Sequence, residues 1–189
     1  MGIKILLTLS LAVMIATGNN APTEAKDTYI CEEYQQYIYE VSEEYDVCPE
    51  LIMAIVERES SGKADAVNGN CKGLMQVSQR WHADRMERLG VTDLYDPYGN
   101  ILVGTDYFVE LTERYGEIGY VLMKYNGDSR ADSYAEGKCE LSKYAQDVLT
   151  RTEELKRAHR KRVKREDGNR NEGWSNPYEK LRQRAIQHP

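Results

Sequence analysis

The chain has 189 residues, enough for one domain of ordinary size with appendages and a core that holds without cross-links. Its net charge of −6 is unevenly placed: residues 151–189 hold twelve Lys/Arg against six Asp/Glu, which leaves thirteen against twenty-five in residues 1–150. No Cys-x-x-Cys pair occurs, and His82, His159 and His188 stand far apart, so the usual zinc spacings are excluded and neither metal nor cofactor is expected.

The first residues read as an export signal. Lys4 supplies the positive start, residues 5–16 form an apolar run, and small residues follow at Ala16, Gly18 and Ala21. The run is short for a membrane span, with an uncleaved anchor as the alternative. Residues 1–25 are therefore set aside as signal peptide and linker. The remainder is expected to act outside the cytoplasm, secreted or extracytoplasmic.

Residues 29–47 form the first helical stretch, with Ile30, Tyr34, Tyr37, Ile38, Val41 and Tyr45 recurring at three- and four-residue steps. Asp46-Val47-Cys48 breaks it, and Pro49 opens a second helix that runs to residue 61 and stops at Gly62. Residues 63–72 are a polar loop turning at Asn68-Gly69. A third helix covers residues 78–89, ended by Gly90. Asp96-Pro97 opens a fourth, closed by Gly116, and residues 118–125 form a short fifth before a loop to Cys139. The last core helix starts near Leu141 and carries Tyr144, Val148, Leu149, Thr152 and Leu155 on one stripe. The fold class is mostly α, without a convincing alternating strand or an internal repeat. Residues 26–155 are the expected domain, and residues 156–189 a basic tail.

Four cysteines, Cys31, Cys48, Cys71 and Cys139, permit two bridges in an exported chain. A continuous first helix separates Cys31 from Cys48 by roughly 20 Å, against the ~7 Å a disulfide tolerates. Cys31 would then pair with Cys71 or Cys139, with four free thiols as the alternative.

One carboxylate stands on the wrong face. On the second helix Ile52 and Val56 lie about 20° and 60° to one side of Glu59, and Ile55 and Leu51 about 40° and 80° to the other. Glu59 is central to the apolar stripe, whereas Glu57 points about 160° away and is expected to be a solvated surface charge. A carboxyl among aliphatic groups loses hydration and keeps its proton toward neutral pH, which suits a general acid. Arg58, about 100° round the helix, is a poor partner for it.

Glu59-Ser60, then Gly73-Leu74-Met75-Gln76, then Tyr125-Asn126-Gly127, then Tyr144-Ala145 resembles the lytic transglycosylases of the soluble type, similar in fold to goose-type lysozyme. Asp96-Pro97 with Asn100, Gly104 and Tyr107 resembles the same family's helix before the Tyr-Asn motif. The match covers roughly residues 29–151. Trp81-His82 stands where many members carry Pro and Thr. The resemblance implies a lysozyme-like helical domain acting on the β-1,4 glycan strands of peptidoglycan. Glu59 would protonate the glycosidic oxygen, the substrate's N-acetyl group would stabilise the oxocarbenium-like centre, and Glu59 would then act as base to close a 1,6-anhydro ring. Asp65 and Asp84 are expected to be ordinary surface charges; either could instead position water for a lysozyme outcome.

By the same resemblance, Ser60 orients the substrate or Glu59, and Gly73 lets the backbone approach the sugar. Met75 and Gln76 line the groove, Tyr125 and Asn126 contact the acetamido sugar, and Tyr144 hydrogen-bonds near Glu59. The segment KRAHRKRVKR, from Lys156 to Arg165, has seven basic residues in ten. It would dock an anionic wall polymer or a membrane surface, or simply continue the last helix in solvent; no nucleic acid partner is expected. A non-catalytic wall-binding adaptor acting through this tail is the rival class. Wall remodelling, a secretion or conjugation apparatus, and phage entry are all settings such enzymes serve.

Overall fold

The computed structural model describes residues 28–168. The expected export segment and the distal tail lie outside the described residues. Seven helices and one small sheet follow in order: α1 (Glu32–Glu44), α2 (Pro49–Ser60), β1 (Val67–Asn68), β2 (Cys71–Lys72), β3 (Val77–Ser78), α3 (Gln79–Arg88), α4 (Pro97–Tyr115), α5 (Ile118–Tyr125), α6 (Ala131–Ala135) and α7 (Lys143–Gly168). The mostly helical expectation holds. Among the described residues no helix is long and apolar enough to cross a membrane.

Local signals set most boundaries. Asp96 caps α4 by accepting from the Gly99 N–H at 2.7 Å, with Pro97 as the first helical residue. Glu117 caps α5 by accepting from the Gly119 and Tyr120 N–H groups at 2.8 and 2.6 Å. Asp46, left-handed at φ 51°, ends the turn after α1. α2 stops where Ser61 and Gly62 both take positive φ.

Three expectations for the loops need correction. The polar loop holds a two-residue hairpin: Asn68 pairs with Cys71, so Gly69-Asn70, not Asn68-Gly69, form its tip. β2 then pairs antiparallel with β3, giving the order β1-β2-β3. The stretch before Cys139 contains the short helix α6. Its start is set by Asp128, whose carboxylate accepts from the Arg130 N–H at 2.9 Å, and by Ala131, 1% exposed. All four cysteines are free thiols, so the Cys31 pairing with Cys71 or Cys139 is not made. Cys48 Sγ instead donates to Glu50 at 3.3 Å, and Cys139 Sγ to the Arg130 carbonyl at 3.6 Å.

α2 is the central helix. It packs on α1 and most extensively on α7. Every residue from Leu51 to Val56 is buried, as expected of a helix covered on all sides. That coverage overturns the reading of Glu57, which is 5% exposed. The 160° offset places it opposite the first apolar stripe, but α7 and the segment before α1 close over that side too. Arg151 on α7 meets it with two donors, Nε to Oε2 at 2.6 Å and Nη2 to Oε1 at 3.2 Å, and Thr28 adds a hydroxyl at 2.7 Å. A fork of this kind satisfies both carboxylate oxygens.

A second buried acid closes the other end of α2. Glu50 is 7% exposed and pairs with His159 Nδ1 on α7 at 2.6 Å. Burial opposes its ionised form, but hydrogen bonds from His159, its own backbone and Cys48 prevail and lower its pKa to about 2. The basic run 156–165 is the continuation of α7, with Leu155 still buried at its root.

Removing one partner of a desolvated pair leaves the other charge uncompensated. Arg151→Ala should destabilise the fold by about 3 kcal/mol, the low end for buried pairs because the arginine keeps some solvent contact. The double variant Glu57→Leu/Arg151→Met should recover most of that loss in urea unfolding. Equal midpoints for wild type and Arg151→Ala would show that the pair does not hold α7 to α2.

Candidate active site

Glu59 occupies the last turn of α2, where the helix leaves the core, and is partly buried. Its Oε1 accepts the Tyr144 hydroxyl from the start of α7 at 2.5 Å. Tyr144 is itself buried at 6% exposure. Burial raises the Glu59 pKa above the ordinary carboxyl range, while the Tyr144 hydrogen bond and the positive charge of Arg58 pull it partway back. Arg58 does not pair with it. That guanidinium lies 5.5 Å over the Tyr144 ring and reaches Asp147 at 3.9 Å. Burial, then the nearby Glu59 charge, raise the Tyr144 phenol, which stays protonated and donating.

The loop of residues 73–76 is built around Asn100, which is 0% exposed on α4. Its Oδ1 accepts from the Met75 N–H at 2.8 Å, and its Nδ2 donates to the Lys72 and Leu94 carbonyls, each at 2.8 Å. One side chain thus satisfies three backbone groups that a tight loop would otherwise bury unpaired. Gly73 has φ +75°, and a Cβ there would overlap Asn100 Nδ2 and the Leu94 carbonyl. The glycine therefore makes room for Asn100 and the Leu94 carbonyl.

Met75 is 0% exposed and packs against Gly104, where an added Cβ would lie 2.6 Å from the Met75 sulfur. Its side chain is part of the core beneath the loop. Gln76, left-handed at φ 50°, spends its amide on the Ala66 and Gly73 carbonyls at 3.1 and 2.9 Å. It ties the loop shut.

Ser60 donates to the Val56 carbonyl at 3.0 Å, bonding back along its own helix instead of orienting Glu59. Tyr125 donates to the Met75 carbonyl at 2.9 Å, joining α5 to the loop. Asn126 follows it, exposed and in the right-handed region, and Gly127 takes the left-handed turn. Burial, then Glu59, raise the Tyr125 phenol, and the same two influences raise Cys71 on β2. Glu59, Tyr144, Tyr125 and Cys71 thus share one electrostatic neighbourhood. Asp65 and Asp84 are both exposed.

Asn100 and Gly104 were visible only as motif letters, with no hint of the bonds they make. The Glu57–Arg151 pair left no periodic signal, because periodicity reports one apolar face at a time.

A helical domain with a buried acid at a helix end, facing a small sheet and a glycine loop, has the lysozyme-like architecture. The family profile described as the Transglycosylase SLT domain matches residues 36–147, more than half of the chain, and the chain belongs to that family. A protein called transglycosylase from Enterobacteria phage PRD1 is 33% identical over 96 residues, covering 50% of this chain and 35% of that protein. Membrane-bound lytic murein transglycosylase E of Buchnera aphidicola is 28% identical over 128 residues, covering 57% of this chain and 58% of its own length. An inactive mutant of the lytic transglycosylase Slt from Pseudomonas aeruginosa superposes with a TM-score of 0.54 at 20% identity, over 62% of this chain and 23% of that one. That likeness establishes the fold. The chain spans between a third and three fifths of the two sequence relatives.

A carboxyl whose pKa is raised on folding is stabilising below its unfolded value, about 4.3, and that contribution is lost as pH rises through the folded value. Glu59→Gln, which mimics the protonated acid, should therefore melt close to wild type at pH 4 and above it at pH 7 and beyond. A melting difference that stays flat across this range would mean that burial does not raise Glu59.

Proposed function

We propose that the chain is a peptidoglycan lytic transglycosylase that cleaves the β-1,4 bond between N-acetylmuramic acid and N-acetylglucosamine. The observation that carries this reading is the Glu59 carboxyl, raised by burial and held by the Tyr144 hydroxyl at 2.5 Å. A protonated carboxyl can give its hydrogen to the glycosidic oxygen as that bond breaks. The substrate's own N-acetyl oxygen supports the developing positive charge at the muramic C1. The carboxylate left behind takes the proton of the muramic 6-hydroxyl, whose oxygen closes onto C1 to form the 1,6-anhydro ring. Glu59 ends protonated again, and no water enters the product.

Tyr144 suits both steps. Its bond favours the ionised carboxylate, so it steadies the state between proton donation and proton recovery. A retaining or inverting glycosidase ordinarily needs a second carboxyl across the scissile bond. The single-acid scheme needs no second carboxyl, because the substrate's N-acetyl group takes its part. Asn126, exposed after Tyr125, would contact the acetamido group.

The basic end of α7 would retain the enzyme on an anionic wall polymer, placing its action outside the cytoplasm. Arg160 and Lys164 are exposed one turn apart on that helix. Cutting the chain after Arg151 would remove the buried Thr152 and Leu155 along with the basic run, so charge reversal is the cleaner probe.

Digestion of purified peptidoglycan should release muropeptides one water lighter than reducing-end products, read by mass spectrometry. Glu59→Gln should lose roughly a hundredfold or more of that activity, the scale of a missing general acid. Equal clearing by both proteins would remove Glu59 from the chemistry, and reducing ends alone would make the chain a lysozyme. Arg160→Glu/Lys164→Glu should cleave soluble glycan at the wild-type rate yet elute from sacculi at lower salt. Unchanged elution would remove the retention role.

A further inference from the structure

We infer that Trp81 and the aromatic row leading inward from it form a glycan-stacking platform that extends the cleft beyond Glu59; this rests on the glycan-cleaving reading above. Trp81 is 76% exposed, more than the other exposed large apolar side chains Tyr29, Val67 and Tyr95. It sits in the first turn of α3, just after β3 and the Gln76 loop. The next residue breaks the helix: His82 has φ −125° and ψ 20°, and α3 kinks there.

The kink carries the His82 ring onto Tyr107 of α4, with centroids 4.5 Å apart. Tyr107 in turn meets Tyr125 of α5 at 5.5 Å. Tyr125 bonds the Met75 carbonyl and feels the Glu59 charge. A run of rings from three helices therefore leads from the acid's neighbourhood to His82 on α3, and the exposed Trp81 precedes His82 in the same helix. Burial, then the charge of Arg85, lower the His82 pKa, so its ring remains an uncharged plate at neutral pH. The Arg80 guanidinium lies 5.3 Å over the Trp81 ring, a cation–π contact that places hydrogen-bond donors beside the indole.

The occupant follows from the chemistry of the glycan. A β-1,4-linked pyranose carries its substituents equatorially, so each ring face is a patch of C–H groups rimmed by hydroxyls. A flat indole with a guanidinium beside it matches an apolar face with a polar rim. An exposed tryptophan loses apolar contact with water only when something flat covers it.

The test uses the full chain. Trp81→Ala should raise the apparent KM on peptidoglycan about three- to tenfold, the worth of one stacked ring, with kcat within about twofold. Trp81→Phe should recover most of it. In a Glu59→Gln/Trp174→Phe protein, where Trp81 is the remaining indole, the hexamer of β-1,4-N-acetylglucosamine should quench fluorescence. Cleavage by wild type with an unchanged KM in Trp81→Ala, or no quench by the hexamer, overturns the platform and leaves the cleavage reading standing. A quench without any cleavage by the wild type keeps the platform and removes the cleavage reading.

Discussion

The candidate site depends on how α7 lies against α2. Glu59 stands at the end of one helix and Tyr144 at the start of the other, eighty-five residues apart in sequence and 2.5 Å apart in space. Such a contact tolerates little rotation or sliding of either helix. Two buried acids prevent that movement. Arg151 grips Glu57 with a two-pronged bond, and His159 grips Glu50 about two turns away along α2. Both pairs use polar groups where apolar ones could pack as well, and apolar contacts would permit several registers. A fork of two hydrogen bonds permits one.

Two glutamates two residues apart on α2 thereby serve opposite ends. Glu57 is surrounded by donors: a guanidinium and a hydroxyl. Glu59 has a phenol and a distant guanidinium, and burial dominates its titration. The difference comes from which neighbours each face of the helix meets. Moving the acid by two positions would exchange a carboxyl whose pKa burial raises for one held by a guanidinium fork.

Much of this was legible in the chain. Capping residues and glycines marked the helices to within a few residues, because Asp96 and Gly116 act on their own neighbours. Glu59 could be singled out because its apolar flanks lie on its own helix. Glu57 misled for the converse reason: what buries it arrives from Arg151 and Thr28, and no count along α2 contains them. The loop residues were recognised by resemblance, but the contacts their side chains make within the fold were not legible. Gly73, Met75 and Gln76 look like groove-lining letters, yet their side-chain space is taken by Asn100, Gly104 and the loop's own carbonyls. Ring stacking across α3, α4 and α5 was equally invisible, since it needs the kink at His82.

Gln76 holds a left-handed conformation without being glycine, a strain of order 1–3 kcal/mol that surrounding bonds must offset. Asn100, Tyr125 and the Gln76 amide supply six hydrogen bonds to backbone groups of this loop and its neighbours. A loop fixed in advance does not bear the ordering cost that a flexible loop bears on binding. The residues that resemble substrate contacts are thus arranged to keep the backbone of this loop still.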